Sequence, residues 1–373
     1  MKDLEIDRIE VIVIGPETQR YAWAQGMAEQ FMTNTMLKVT TRGGLVGVAG
    51  APSFSSYDFD RSVAETLRGM LPPLIGQSPV DREALWRRCL TFTLPQAPQA
   101  HSLIDVALWD LAAKAAGLPL YRMLGGARSK ILSYASTPML ANAGAYVDFV
   151  AKLKEEGFRA IKFHCWCRLQ PDMEMVHAVA KKFGSSGLAF MLDVEQRYDR
   201  ASALSAGKQL SDLGYRWFEA PLDDFDLEGY RFLRQRVDVP IIAAGNSVTD
   251  IRMIEFAVNA GCWSDLRIDV MQSGGFTPAR KVMGLAAAHD MTVELQCWGY
   301  TLTQAANLHL MLAYENCTYF EQPAPYPAFE YGSLNTIRTD KEGFVHAPPG
   351  PGLGVEVDWP AVEKATVMRY EVR

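Results

Sequence analysis

The chain has 373 residues, of which 49% are hydrophobic and 21% charged, a composition typical of a globular protein with a large core. Its net charge is −6 and it has no basic cluster, so a nucleic-acid partner is not expected. No run of about 18 uncharged apolar residues occurs, and the N-terminus lacks the apolar core of a secretion signal. We therefore expect no membrane segment, a cytoplasmic location and reduced cysteines.

The N-terminal third predicts an α+β domain. The segments "RIEVIVIG" and "TMLKVTTRGGLVGVAGA" alternate in the manner of strands, with a turn at Gly43 and Gly44, which indicates an antiparallel meander. Helical patterns follow near "YDFDRSVAETLRGML" and "SPVDREALWRRCL". We assign residues 1–125 to an α+β capping domain, and we expect the tail, about residues 348–373, to pack back on it.

From about residue 130 the chain repeats one pattern: a helical stretch, a glycine and a short apolar strand that stops at a polar residue. In the clearest copies the helix ends at Gly157, Gly214 or Gly261, where a residue without Cβ can adopt the left-handed conformation. The strands, spaced by roughly 24 to 30 residues, read KILSYAS, FRAIKFH, LAFMLD, YRWFE, VPIIAAG, LRIDV, MTVELQ and TYFE. Eight evenly spaced parallel strands predict a closed (β/α) barrel over residues 126–347.

Polar residues close most of these strands. Because the carboxyl ends of barrel strands share one face, we expect their side chains to surround a common site. The terminal residues are His164, Asp193, Glu219, Asn246, Asp269, Gln296 and Glu321.

Several segments together resemble the enolase superfamily, in particular its mandelate racemase-like group. They are "SLIDVALWDLAAKAAGLPLYRMLGG", the Lys-x-His strand end at Lys162, the acids that close the next two strands, and "PGLGVEVD" near the C-terminus. The resemblance implies a modified (β/α)7β TIM-type barrel that binds Mg²⁺, removes the proton α to a substrate carboxylate and stabilises the enediolate. It also implies acid-sugar dehydration or racemisation as typical outcomes, and assembly into homo-oligomers, dimers or octamers.

In this resemblance Asp193 and Glu219 occupy the positions of the first two metal ligands, and Mg²⁺ prefers such carboxylates. The alternative for both is a salt bridge or a helix cap at the barrel rim. The third ligand position departs from the family pattern, because "IIAAGNS" places Asn246 where a glutamate is usual and adds one residue before it. Glu195, two residues after Asp193, could compensate for the lost charge; alternatively, Asn246 belongs to a polar turn in which Ser247 caps the next helix.

Strand alternation predicts that Lys162 and His164 point together into the barrel mouth, with Cys165 on the other face. Imidazole can take up and return a proton near neutral pH, so we expect His164 to be the catalytic base. Lys162 should disfavour the imidazolium and keep His164 available for this role. A metal site formed by His164, Cys165 and Cys167, or a merely packed histidine, are the alternatives.

Across the barrel, Asp269 matches the aspartate of the family's Asp-His pair, but Gln296 stands where the histidine is usual. Glutamine cannot transfer protons, so we expect Gln296 to orient the substrate, while Glu321 or Glu294 could be a replacement acid. With only one convincing base, His164, dehydration of an aldonic or aldaric acid fits best. A racemase or epimerase, a cycloisomerase, and a sugar-acid binding protein without catalysis remain alternatives.

The substrate is a small-molecule carboxylate whose identity we expect the capping domain to determine. A guanidinium suits a distal carboxylate and hydroxyl groups suit a polyol, whereas the alternative is a solvated loop. The predicted substrate contacts are Arg20, Tyr21, Trp23 and Glu321, with Ser53, Ser55 and Tyr57 offered by a second loop.

Overall fold

The computed structural model describes residues 2–55, 61–90 and 97–373. The strands are β1 (Ile6–Ile14), β2 (Phe31–Thr41), β3 (Val46–Ser55), β4 (Lys130–Thr137), β5 (Ala160–His164), β6 (Ala189–Asp193), β7 (Trp217–Glu219), β8 (Ile241–Ile242), β9 (Leu266–Ile268), β10 (Val293–Leu295), β11 (Tyr319–Pro323), β12 (Phe344–His346) and β13 (Thr366–Val372). The helices are α1 (Ser62–Met70), α2 (Arg82–Leu90), α3 (Pro98–Ala115), α4 (Leu120–Leu124), α5 (Ala143–Glu156), α6 (Leu169–Phe183), α7 (Arg200–Asp212), α8 (Leu227–Arg234), α9 (Ile251–Asn259), α10 (Phe276–Ala288), α11 (Thr301–Ala313) and α12 (Trp359–Ala365).

The N-terminal sheet is antiparallel and takes one strand from the other end of the chain. Its order is β13-β1-β2-β3, with Ile9 opposite Val372 in the outer pair. The β1 side chains from Val11 to Ile14 are buried, and helices α1, α3 and α11 pack against the sheet. The tail therefore completes the sheet that the first residues begin.

Between residues 97 and 373 the eight predicted barrel strands all form. They are parallel and ordered β8-β7-β6-β5-β4-β11-β10-β9, and a bridge between Ile242 and Asp265 brings the two ends of the sheet together. The predicted barrel with an N-terminal α+β domain is confirmed. The additional strand β12 pairs antiparallel with the start of β4.

The glycine between α5 and β5 fixes the direction in which β5 enters the barrel. Gly157 ends α5 with a φ of 116°, and a Cβ there would lie 2.5 Å from the carbonyl oxygen of Asp340. Only glycine allows both the left-handed backbone and this close approach. The predicted helix end at Gly157 is thus confirmed, and it precedes the strand that carries Lys162 and His164.

Helix α3 joins the two domains and is buried on nearly every side. Its Asp110 accepts hydrogen bonds from the backbone amides of Val48 in the capping domain and Leu353 in the tail, both at 2.8 Å. Its Trp109 donates to Thr277 of the barrel at 3.0 Å. Among the described helices, none combines the length and apolarity that a bilayer crossing requires.

Candidate active site

Strand β5 ends at the barrel mouth and carries the two basic groups. Lys162 and His164 are only 1% and 4% exposed, and both point inward. Phe163, between them, points outward and stacks on Phe190 at a centroid distance of 5.8 Å. The alternation predicted from the sequence therefore places both basic side chains on the inner face.

The imidazole of His164 is held in one orientation. Its Nδ1 lies 2.7 Å from the carbonyl oxygen of Thr137, which can only accept, so Nδ1 carries a hydrogen. Its Nε2 faces Asp193 Oδ2 at 3.3 Å and Glu195 Oε1 at 3.2 Å. Burial favours the neutral ring and so does Lys162, but the two carboxylates outweigh them and raise the pKa of His164 to about 10. The expectation that Lys162 keeps His164 neutral is therefore wrong for the metal-free protein.

Lys162 lies at the centre of a buried ion-pair network. Its Nζ is 3.2 Å from Asp193 Oδ2, 2.8 Å from Glu219 Oε1 and 2.9 Å from Glu321 Oε1. Burial alone would lower the pKa of Lys162, but these carboxylates raise it above its usual value. The side chain of Lys162 is therefore a positively charged ammonium at neutral pH.

Arg267 is the second cation of this network, and the sequence analysis missed it. Its guanidinium contacts Glu219 Oε1 at 2.6 Å, Glu321 Oε2 at 2.9 Å and the hydroxyl of Tyr134 at 3.2 Å, and the residue is only 4% exposed. Arg267 could have been predicted from the sequence. It precedes Asp269 by two residues, so strand alternation places both side chains on the same face.

The predicted second and third metal ligands, Glu219 and Asn246, both form contacts with other side chains. Besides Lys162 and Arg267, Glu219 accepts a hydrogen bond from the indole of Trp217 at 3.0 Å, and burial raises the pKa of Glu219 to about 7 against the effect of the two cations. Asn246 is exposed, and its side-chain oxygen accepts from Gln296 Nε2 at 2.8 Å.

Within the described residues, one group of side chains converges as a metal site would. His164, Asp193 and Glu195 each present a ligand atom, and these atoms lie within 4.8 Å of one another. Cys165 and Cys167 are not part of this group; their thiols contact the backbone oxygens of Asp193 and Cys165 instead. The metal ligation predicted for Asp193, Glu219 and Asn246 stays a prediction.

Asp269 and Gln296 lie across the mouth and line a cavity of about 260 Å³. Asp269 accepts from Asn307 Nδ2 at 2.9 Å and from the amide of Met271 at 2.8 Å, and burial raises the pKa of Asp269 to about 6. The cavity is lined by Pro52, Ser53, Gln99, Asp269, Met271, Gln272, Gln296 and Trp298. Gln99 and Gln272 had escaped notice because neither closes a strand.

The loop between β1 and β2 covers His164 with aromatic rings. The ring of Trp23 lies 5.5 Å from that of His164 and 4.3 Å from that of Trp298, while Tyr21 stacks on Phe329 at 6.3 Å. Ser53 lines the cavity, whereas Tyr57 and the side chain of Ser55 lie outside the described residues.

Two of the predicted substrate contacts, Arg20 and Glu321, do not line the cavity described above. Arg20 is an exposed residue of the same loop as Trp23. Glu321 is fully buried, and its oxygens contact Lys162, Arg267, the amide of Cys297 and, at 3.2 Å, the indole of Trp298. Substrate contact by either residue stays a prediction.

Two family models match the chain. Residues 8–125 match the N-terminal domain of mandelate racemase / muconate lactonizing enzyme, and residues 145–362, more than half of the chain, match the enolase C-terminal domain-like model. The chain belongs to the mandelate racemase/muconate lactonizing enzyme family. The predicted family is therefore confirmed by matches to both of its domains.

The chain is similar to a solved structure from Pseudovibrio sp. and to two dehydratases. A crystal structure from Pseudovibrio sp. that carries the mandelate racemase/muconate lactonizing enzyme name is 41% identical, with a TM-score of 0.97 over 99% of each chain. L-talarate/galactarate dehydratase of Salmonella typhimurium is 29% identical over 74% of this chain and 69% of its own length. D-glucarate dehydratase from Agrobacterium tumefaciens, a structure complexed with magnesium, is 29% identical over 98% of this chain and 100% of its own, with a TM-score of 0.84.

Proposed function

We propose that the protein removes the proton α to the carboxylate of an acid sugar and dehydrates it, with Mg²⁺ as cofactor. The observation that carries this proposal is the orientation of His164, whose Nε2 faces the barrel mouth because Nδ1 is bonded to Thr137. The dehydratases among the relatives act on talarate, galactarate and glucarate, which supports an acid sugar as substrate.

The described residues fit a divalent cation at this site. Once Nδ1 of His164 donates to Thr137, its Nε2 and the oxygens of Asp193 and Glu195 are three acceptors that face one another, and a positive charge must lie among them. Carboxylate oxygens are the donors that Mg²⁺ prefers, and Asp193 is the central one. When bound, the cation neutralises charge on the substrate enediolate and on the carboxylates that otherwise keep the proton on His164.

The protein groups then have distinct roles. His164 Nε2 takes the α-proton, and the ammonium of Lys162, 3.2 Å from Asp193, adds fixed positive charge beside the developing enediolate. The imidazolium returns a proton to the β-hydroxyl, the β C–O bond breaks, and water leaves. The resulting enol tautomerises to a 2-keto-3-deoxy acid, so atoms and charge balance without an oxidant.

Proton exchange from both sides, as racemisation requires, has less support. Gln296 cannot transfer protons, and its amide donates to Asn246. Asp269, near Gln296, is bonded to Asn307 and Met271. We assign Asp269 and Gln296 to the binding of substrate hydroxyl or carboxylate groups in the cavity that they line.

The proposal is tested with a panel of aldonic and aldaric acids, in D₂O with Mg²⁺, by following 2-keto-3-deoxy acid formation with NMR. His164→Gln removes the base and should lower turnover by at least about a hundredfold, whereas Gln296→Leu should weaken binding more than it slows proton removal. Normal product formation by His164→Gln would contradict the role of His164. A panel in which neither product nor deuterium exchange occurs would contradict the proposed reaction.

We also propose that the protein forms homo-oligomers. Large apolar side chains are exposed on the barrel and tail, including Phe225 at 66%, Phe256 at 61% and Leu334 at 61%. Light scattering at micromolar concentration should give a mass above that of one chain, and a monomer throughout would contradict this.

A further inference from the structure

We propose that Glu195 is the second carboxylate ligand of the divalent cation, beside Asp193, in place of Glu219 and Asn246. The inference rests on the proposed function only in assuming that a divalent cation binds at the barrel mouth. It moves the metal centre from neighbouring strand ends to one strand end and the turn that follows it.

Glu219 is unsuited to the role because two cations already bind it. Its Oε1 is 2.8 Å from Lys162 Nζ and 2.6 Å from Arg267 Nε, and its Oε2 accepts from Trp217 at 3.0 Å. A dication at this carboxylate would be brought against two fixed positive charges in a buried site, where repulsion is poorly screened. Arg267 therefore supplies at Glu219 the charge that a metal ion would supply.

Asn246 is also committed to other contacts. Its oxygen accepts from Gln296 at 2.8 Å, and its backbone amide is held by Asp224 Oδ2 at 3.3 Å, as is that of Ser247 at 2.9 Å. These bonds keep the turn after β8 in place, with the Asn246 side chain exposed. A neutral amide in that position attracts a cation far less than a carboxylate does.

The backbone after β6 directs Glu195 toward Asp193. Glu195 and Gln196 have φ values of 51° and 61°, a left-handed conformation that non-glycine residues rarely adopt. The Glu195 amide donates to Asp193 Oδ1 at 2.9 Å, and Gln196 is anchored by its amide to the oxygen of Ala220 at 2.8 Å and by its side chain to the amide of Asp224 at 2.9 Å. An unfavourable turn held by three bonds is typical of a functional position.

The charges of the described residues identify the same place. Deep in the barrel, Lys162 and Arg267 balance Glu219 and Glu321 one for one. Asp193 and Glu195 remain as two further carboxylates beside His164, and a single proton on His164 leaves this group with one negative charge in excess, which an added cation would compensate. Oxygen donors favour Mg²⁺ or Mn²⁺, so His164 Nε2 is not needed as a ligand and can take the proton of the substrate.

The test measures cation binding without substrate. Chelator-treated protein is titrated with Mn²⁺, the free ion is read by electron paramagnetic resonance, and Mg²⁺ is added as competitor. Glu195→Gln keeps the size of the side chain and removes its charge, and Glu195→Ala removes both oxygens. We expect Mn²⁺ affinity to fall at least about tenfold in each. The matched control, Asn246→Ala at the ligand position inferred from the family, should change it less than about threefold.

Two results would overturn the inference: Glu195 variants that bind Mn²⁺ like the wild type, or Asn246→Ala weakening binding as much as they do. Thermal midpoints measured without metal show whether each variant is folded. We expect them to stay near the wild-type value, because Glu195 is partly exposed and its replacement leaves the ion pairs of Lys162 and Arg267 in place. Glu195-dependent Mn²⁺ binding without turnover of any acid sugar would count against the proposed reaction and leave the site standing. Turnover of an acid sugar together with metal binding that does not depend on Glu195 would support the proposed reaction and contradict the role of Glu195 as a ligand.

Discussion

Replacing Arg267 by methionine should destabilise the protein strongly. The guanidinium is 2.6 Å from Glu219 and 2.9 Å from Glu321, and all three residues are almost fully buried. Removing one partner of a buried ion pair costs about 3–5 kcal/mol, because the other charge stays buried without compensation. Methionine conserves much of the volume, so the expected loss reflects charge and hydrogen bonding more than packing.

The loss should increase with pH. Burial already raises the pKa of Glu219 to about 7 with Arg267 present, and removing the cation raises it further. A carboxylate whose folded pKa lies above its unfolded value stabilises the fold at low pH and loses that contribution as pH rises. The variant should therefore lose more stability relative to wild type at pH 8 than at pH 6.

Urea unfolding followed by circular dichroism at both pH values provides the measurement. Adding Glu321→Gln to the Arg267 variant should recover about 1 kcal/mol or more, since a neutral amide no longer needs the guanidinium. The control is Arg369→Met, which removes an exposed pair with Glu363 and should cost less than about 1 kcal/mol. If Arg267→Met costs no more than Arg369→Met, the buried network does not have the strength inferred here.

Three further predictions concern single groups. In metal-free protein, NMR of the His164 ring should show a pKa of about 10 instead of 6.5, and Mg²⁺ should lower this pKa. A titration at the ordinary histidine pKa would contradict the contacts between His164 and the two carboxylates. His309 is fully buried with its pKa lowered to about 4, so stability should fall by up to about 3 kcal/mol as pH drops from about 6.5 to 4. When the free energy of unfolding is measured by urea titration at several pH values, His309→Gln should show much less of this decline than the wild type. The same pH profile in both proteins would contradict the role assigned to His309. Gly275→Ala should cost more than about 2 kcal/mol, because its Cβ would lie 2.3 Å from Asp105 Oδ2 at a φ of 99°. Gly284→Ala, in an open helical position, should be neutral or stabilising by up to about 1 kcal/mol, and equal effects of the two would contradict the steric argument.

The barrel could be predicted from the sequence because its signals are local. Each unit carries a helical pattern, a glycine such as Gly157 and a short apolar strand, and these features depend on neighbouring residues alone. The direction of Lys162 and His164 followed from alternation along one strand, which is equally local.

The metal and proton chemistry was harder to predict because it depends on contacts between strands. Strand-end position made Glu219 a ligand candidate, but its availability depends on Arg267, which arrives from another strand. The protonation of His164 likewise depends on how far Asp193 and Glu195 lie from Nε2 relative to Lys162. Sequence spacing does not contain these distances.

The pairing of β13 with β1 has a consequence for the order of folding during synthesis. The sheet of the capping domain has β13 next to β1, yet β13 is made only after every barrel strand. N-terminal domains generally fold first as the chain emerges from the ribosome. Here the first domain exposes one edge of β1 until the last strand is released, so the barrel can close before its own cap is complete. Charged residues along that edge, such as Arg8 and Glu10, are of the kind that discourages pairing with other chains in the interval.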